Sequence, residues 1–436
     1  MKKNYLLTIV ALLSLQSYAQ TKLSTSVSSK PLSVATSPES VGISSERLKR
    51  IDNALNELVV QDKLPGMVAL FTKNGQIVYQ KAFGYSDFQT KKPMKTDDIF
   101  RIASMSKAIT STAVLMLYEE GKFSLDDPIS KFIPEFKNPK VLKSFKFADT
   151  TYTTEPAKSE ITIRHLLTHT SGLGYGVIDG DESFKAMYKK AGIVDLFTTS
   201  PVKIGDNIKK LANLPLHFNP GEKYSYSEGL DVLGYFIEII SGMPFDEYLR
   251  THLFEPLGMS DTYFYLPDSK KDRMVYIQKP DSTQKWVRYP VTFYDPNYPI
   301  SGAKTFFSGG AGLSSTAKDY ATFLQMLLNN GTMNGKRFLS RTTVELMTAT
   351  NQTGELFGGP KGDAFFSLGF SVVNQNGHTK GMGSVGRFSW GGYFNTNYWA
   401  DPKENIIMIL MKQTQAAPDG GSEAMFTRLI YQSIDD

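Results

Sequence analysis

Ala103-Ser104-Met105-Ser106-Lys107-Ala108-Ile109-Thr110-Ser111-Thr112-Ala113-Val114-Leu115-Met116-Leu117 is the stretch on which the reading of this chain turns. A serine three residues before a lysine puts both side chains on one helical face, within mutual reach. The residues that follow are apolar on every side, so the helix belongs in a core rather than on a surface. A lysine at its buried start costs several kcal/mol unless something there uses it. A serine hydrolase without a histidine base needs this pairing, a hydroxyl nucleophile beside a desolvated amine.

The spacing alone does not select the site, because Ser-x-x-Lys occurs five times, at Ser104, Ser200, Ser282, Ser301 and Ser315. Ser200 precedes a proline, Ser282 lies in a polar stretch and Ser301 precedes a glycine. Ser315 precedes a helix whose apolar stripe (Tyr320, Phe323, Leu324, Leu327, Leu328) faces away from Lys318, which reads as a cap and a solvated lysine. Only Ser104 opens an apolar helix; the structural alternative there is a capping serine with a snorkelling lysine.

The surrounding elements follow from periodicity. Ser44 starts an amphipathic helix with Leu48, Ile51, Leu55, Leu58 and Val59 on one face. Residues 66–73 and 76–83 read as strands joined by the hairpin dipeptide Asn74-Gly75. Residues 122–305 read as mostly helical segments and loops, with a short helix at 163–168 and a longer one at 230–240. Strands return at 365–373, 393–400 and 406–411, and a terminal helix covers 423–434. Both chain ends thus build one antiparallel sheet with a helical insertion between them, an α+β fold with a cleft between two lobes. The sheet lobe takes residues 41–103 and 307–436, and the helical lobe 104–306.

With 436 residues and 41% hydrophobic content the chain can bury a large core. Its formal net charge of +5 is too small and scattered to suggest nucleic acid. Residues 1–19 carry the marks of a secretory signal: Lys2 and Lys3, an apolar run from Tyr5 to Leu15, and Ser17-Tyr18-Ala19 before the expected cleavage. That run is far below the ~20 residues of a membrane span. The expected location is therefore exported, periplasmic or secreted. Residues 20–40, rich in Ser, Thr and Pro, read as a flexible lead-in. There is no cysteine, so stability must come from the core.

Two further groups complete a hydrolytic site. Tyr226, just before the helix at 230, offers a phenol that can carry a proton when a nearby ammonium draws its pKa down; the alternative is a packing tyrosine, one of 22. Trp390-Gly391-Gly392-Tyr393 reads as the opening of the strand at 393, with the N–H groups of Ser104 and Tyr393 as an oxyanion hole; the alternative is a glycine bulge. His165 and His169 have a metal-binding spacing but no third ligand, and read as polar core histidines. No Gly-x-Ser-x-Gly elbow and no phosphate loop is present. The motifs call for no cofactor and no metal.

Taken together, Phe100–Lys107, Ile161–Leu173, Tyr226-Ser227, Gly310–Thr316 and Trp390-Gly391-Gly392 resemble, in order and spacing, the serine β-lactamase-related superfamily. The nearest likeness is to class C β-lactamases and family VIII carboxylesterases, from about residue 40 to the C-terminus. The resemblance implies a β-lactamase/penicillin-binding-protein-like fold and an acyl-enzyme mechanism. Ser104 would be the nucleophile, Lys107 its activator and Tyr226 the proton shuttle. Trp390-Gly391-Gly392 would replace the Lys-Thr-Gly strand motif of true β-lactamases and is similar to the esterase branch. Two departures weaken β-lactam and peptide readings. Glu228 stands where the family often has asparagine, and an acceptor-only carboxylate cannot donate the amide's hydrogen bond. Trp390 removes a cationic anchor for a substrate carboxylate. The expected function is ester hydrolysis on small carboxylic esters, with possible weak β-lactam turnover. A D-amino-acid peptidase or cell-wall amidase, or a true β-lactamase, is the second reading; Arg387 and Lys304 are its candidate carboxylate-binding cations. A non-catalytic acyl-binding or scaffold protein is the third. The aromatic segments 175–184 and 286–307 are expected to shape the acyl pocket.

Overall fold

The structure is a computed structural model and describes residues 30–418 and 420–435. The leader at 1–19 lies outside them. Nine strands form one sheet: β1 (Ser33–Val34), β2 (Gly66–Lys73), β3 (Gln76–Asp87), β4 (Lys92–Pro93), β5 (Ala364–Phe366), β6 (Ser371–Val373), β7 (Phe388–Gly392), β8 (Thr396–Asp401) and β9 (Ile406–Met411). Their order is β1-β3-β2-β9-β8-β7-β6-β5, with β4 beside β3. Every neighbouring pair is antiparallel except β1 with β3, so the sheet is mixed.

Side-chain alternation sorts the core into two layers. Met67, Ala69 and Phe71 of β2 face one side with Trp399, Met408 and Leu410; Val68 and Leu70 face the other with Tyr398, Ile407 and Ile409. The first layer is closed by α1 (Ser45–Val60) and the terminal helix α6 (Ser422–Gln432), which pack on each other. The second continues without a break into the helices of the insertion: α2 (Ser106–Glu119), α3 (Ile163–Leu167), α4 (Gly229–Ser241) and α5 (Ala317–Leu328). Both faces of β2 and β9 are buried, which is why they read as continuous apolar runs. Among the described residues no helix is long and apolar enough to cross a membrane.

Four expectations change. The lead-in is part of the fold from Ser33 onward: β1 pairs with Gln76 and Ile77, and Ser37 caps the turn Pro38–Val41 through a reciprocal bond with Ser40. The expected strand 365–373 is two strands, β5 and β6, paired antiparallel across a turn in which Gly369 has φ 118°. Trp390-Gly391-Gly392 closes β7 instead of opening the next strand; Tyr393 lies in the turn to β8, where Asn395 takes φ 62° and its N–H bonds to the Gly392 carbonyl. The insertion also carries a hairpin, Lys140–Lys146 with Thr151–Pro156, in the region expected to be mostly helical. Most of its residues are exposed and only Val141, Leu142 and Phe145 reach the core, too few to show the apolar alternation that marks a strand.

Candidate active site

Ser104 sits in a 3-10 turn, Ala103–Met105, that runs directly into α2. The turn is fastened on several sides. The Ile102 N–H bonds to the Leu313 carbonyl, the Leu313 N–H returns to Ser106 Oγ (3.1 Å), and the Tyr320 hydroxyl donates to the Met105 carbonyl (2.9 Å). Ala103, immediately before Ser104, has φ 43°. That conformation costs a non-glycine residue ~1–3 kcal/mol and persists only where the surroundings over-determine it.

Lys107 is 2% exposed. Its Nζ donates to the Gly310 carbonyl (2.8 Å) and lies 3.4 Å from Ser104 Oγ. The Tyr226 ring covers it, 4.4 Å from centroid to Nζ, with the Tyr175 ring at 5.7 Å. The Gly310 carbonyl is itself held, because the Gly310 N–H donates to Asp231 Oδ1 (2.9 Å), which also accepts from Ser308 Oγ (2.7 Å). The backbone approaches this closely because Gly309 has no side chain: a Cβ there would collide with the Leu230 carbonyl and crowd Thr110. Three candidate residues, Ser104, Lys107 and Tyr226, are therefore brought together.

Tyr226 is held by the loop that follows α3. The Ser225 N–H bonds to the His169 carbonyl, the Ser227 N–H to His169 Nδ1 (3.2 Å), and the Glu228 N–H to the Gly174 carbonyl. His169 can accept at Nδ1 only as the neutral imidazole. Full burial, reinforced by the charge of Lys107, holds its pKa well below the usual value, so the neutral form is the favoured one. His165 instead accepts from the Thr162 N–H (3.2 Å) in a capping box at the start of α3. Among the described residues no group of three or more His, Asp or Glu side chains is placed to hold a metal ion.

Glu228 is fully buried, and neither carboxylate oxygen meets a protein donor. Burial raises its pKa well above the ordinary carboxyl range, and the carboxylates of Asp195 and Asp231 add to the shift. The sequence reading treated it as an acceptor-only anion; in the folded chain the neutral acid is favoured. It also makes no side-chain cap on α4. Burial likewise raises Asp231 and Asp195.

Trp390 stacks obliquely against Tyr226, with centroids 5.7 Å apart. Gly392 brings the end of β7 against the residue two before Ser104, since a Cβ at Gly392 would strike the Ile102 carbonyl and the Thr396 hydroxyl. Gly391 lies between them on β7. Tyr393 is partly exposed and its hydroxyl accepts from Gln415 Nε2 (2.7 Å). Ala103, Tyr175, Phe197, Tyr294, Tyr298 and Phe394 form an aromatic wall on which Tyr226 rests. Both aromatic segments named from sequence contribute to it. Trp286 does not, and its indole N–H donates to the Asp62 carbonyl (2.8 Å).

The two cations nominated as carboxylate anchors are elsewhere. Lys304 is exposed beside a separate hollow of about 310 Å³ that Asp246, Arg250 and Phe264 also line. Arg387 packs on the Trp399 ring, in the layer closed by α1 and α6, on the other face of the sheet from the Trp390 layer. Sequence reasoning missed Asp231, Ser308 and the positioning role of His169. A glycine run at 309–312 and an acid in the first turn of α4 were the available signals.

The beta-lactamase family model matches residues 51–432. An uncharacterised protein of Mycobacterium tuberculosis is 33% identical over 374 residues, covering 83% of this chain and 88% of its own length. Esterase EstB of Burkholderia gladioli is 29% identical over 385 residues, 84% of this chain and 90% of its own. Among solved structures, EstCE1, described as a hydrolase with promiscuous acyltransferase activity, is 25% identical with a TM-score of 0.74 over 88% of this chain and 99% of its own. With its mixed sheet and helical insertion, the chain belongs to the beta-lactamase family and is a serine hydrolase of that fold.

Proposed function

We propose that the protein is an exported esterase that cleaves small carboxylic esters through an acyl-enzyme on Ser104. The observation that carries this is the placing of Lys107 Nζ between Ser104 Oγ at 3.4 Å and the Tyr226 ring at 4.4 Å, out of water. Ser104 Oγ attacks the ester carbonyl while its proton passes to the Lys107–Tyr226 pair. The same pair returns that proton to the departing alkoxide, so the alcohol leaves neutral. A water then repeats the sequence on the acyl-serine, releasing the acid and restoring the Ser104 hydroxyl. The N–H groups of Ser104 and Tyr393 would receive the negative charge on the carbonyl oxygen. Gly392, which lets β7 close on Ile102, supports that pairing of elements.

Substrate class is argued from what surrounds the pair. Trp390, Tyr175 and the aromatic wall favour an uncharged, apolar acyl group. The layer that holds Arg387 lies behind the sheet, so this arginine offers no anchor to a peptide or β-lactam carboxylate. The names of EstB and EstCE1 point the same way. Export rests on the leader read at 1–19.

The test is hydrolysis of p-nitrophenyl butyrate by wild type and Ser104→Ala, with a chromogenic cephalosporin in parallel. Ester turnover lost in the variant, with little cephalosporin turnover, is the expected result. Dominant cephalosporin turnover would make Glu228 and Trp390 misleading. No Ser104-dependent turnover of either would overturn the proposal.

A further inference from the structure

On the face of the sheet away from Ser104, a groove of about 1200 Å³ opens between α6 and the loop that precedes β7. Arg387 is set in its wall, 7% exposed. A guanidinium stays protonated at any ordinary pH. The Tyr431 hydroxyl lies beside its side chain, its Nε meets no acceptor, and among the described residues it enters no ion pair. One face lies over the Trp399 ring, 5.3 Å from the centroid. Such a contact offsets only part of what burying an unpaired charge costs.

The buried carboxylate in this region is committed elsewhere. Asp401 Oδ2 accepts from the Tyr431 hydroxyl (2.6 Å) and the Ser384 N–H (3.3 Å). Its Oδ1 accepts from the N–H groups of Lys403 (3.0 Å) and Glu404 (3.2 Å). Around the same groove stand the exposed cations Lys403 and Arg428, and Lys380, which also reaches Asp363. The acids on its lining are engaged: Glu404 with Lys73 (3.7 Å) and Glu423 with the Asn397 amide (2.9 Å). A buried arginine with no acid paired to it among the described residues thus sits within a positively charged rim.

We propose that this groove is a binding site for a small anion bearing carboxylate or phosphate oxygens, held by Arg387 in the wall and by Lys403 and Arg428 at the rim. A planar guanidinium matches two oxygens of either group at once, which a lysine cannot do. The site is separated by the sheet from the proposed ester-cleaving centre and does not depend on it.

Titration calorimetry of the full chain with inorganic phosphate and, separately, with citrate tests this at constant ionic strength against sodium chloride. Saturable binding of at least one is expected, and the better of the two identifies phosphoryl or carboxylate recognition. Arg387→Gln should weaken it at least tenfold, and Lys403→Glu with Arg428→Glu severalfold, while ester turnover stays at the wild-type level and certifies folding. If Arg387→Gln does not fold, the exposed double variant decides. Binding no stronger than that of chloride, or equal in wild type and variants, would overturn the proposal.

Discussion

Lys107 and Arg387 are both buried and basic and lie on opposite sides of one sheet, yet their surroundings differ in kind. Lys107 has a carbonyl, a hydroxyl and a ring arranged around Nζ, and it acts electrostatically on the buried acids Asp231 and Glu228. Arg387 has one aromatic face, the Tyr431 hydroxyl beside it and no ion pair among the described residues. The first is enclosed by partners from its own chain; the second sits in the wall of a solvent groove with no acid paired to it among the described residues. Burial of a cation is therefore not by itself the mark of a catalytic site. What distinguishes Lys107 is the reactive hydroxyl within reach.

The comparison is broken most severely at Ser104. Ser104→Ala should lower ester kcat by roughly 10³-fold or more with unchanged thermal stability; a matching loss of stability would make the residue structural. Lys107→Ala should cost about 10²-fold, as loss of a proton-transfer group does, and unchanged rates would remove it from the mechanism. Asp231→Ala should cost about tenfold by releasing the Gly310 carbonyl, and Asp231→Asn should recover most of it because an amide oxygen still accepts from the Gly310 N–H. Equal rates in all three forms would show that the Lys107 carbonyl contact is incidental.

The smallest effect concerns Glu228 and is read in stability. Its folded pKa is raised, so the folded chain holds a proton that the unfolded chain releases at lower pH. Stability from this group is full below the ordinary carboxyl value near 4.5 and is lost as pH rises toward the folded value. Glu228→Gln should flatten that slope, narrowing the melting difference between pH 5 and pH 8 by about 2–4 °C. An unchanged difference would place the titration elsewhere.

Much of this was legible because burial leaves periodic traces. The strands at 66–83 and 406–411, the helix at 106–119 and the Ser104–Lys107 pair were readable from apolar runs and one misplaced lysine. The hairpin at 140–156 left little trace because most of its residues face water and only Val141, Leu142 and Phe145 reach the core. Arg387 was assigned to the wrong face because strand parity was unknown: three residues before Trp390, it points opposite to it. Asp231 and Gly310 lie 79 residues apart in sequence and meet only through the fold.

Ala103 carries a consequence for how the protein can vary. Its methyl belongs to the aromatic wall, while its backbone takes a conformation that glycine would adopt freely. Glycine would ease the turn but leave a methyl-sized hollow in that cluster; a bulkier residue would keep the strain and crowd the wall. The position ahead of Ser104 is thus a compromise between two opposing demands, and a saturation library there should return a single dominant survivor.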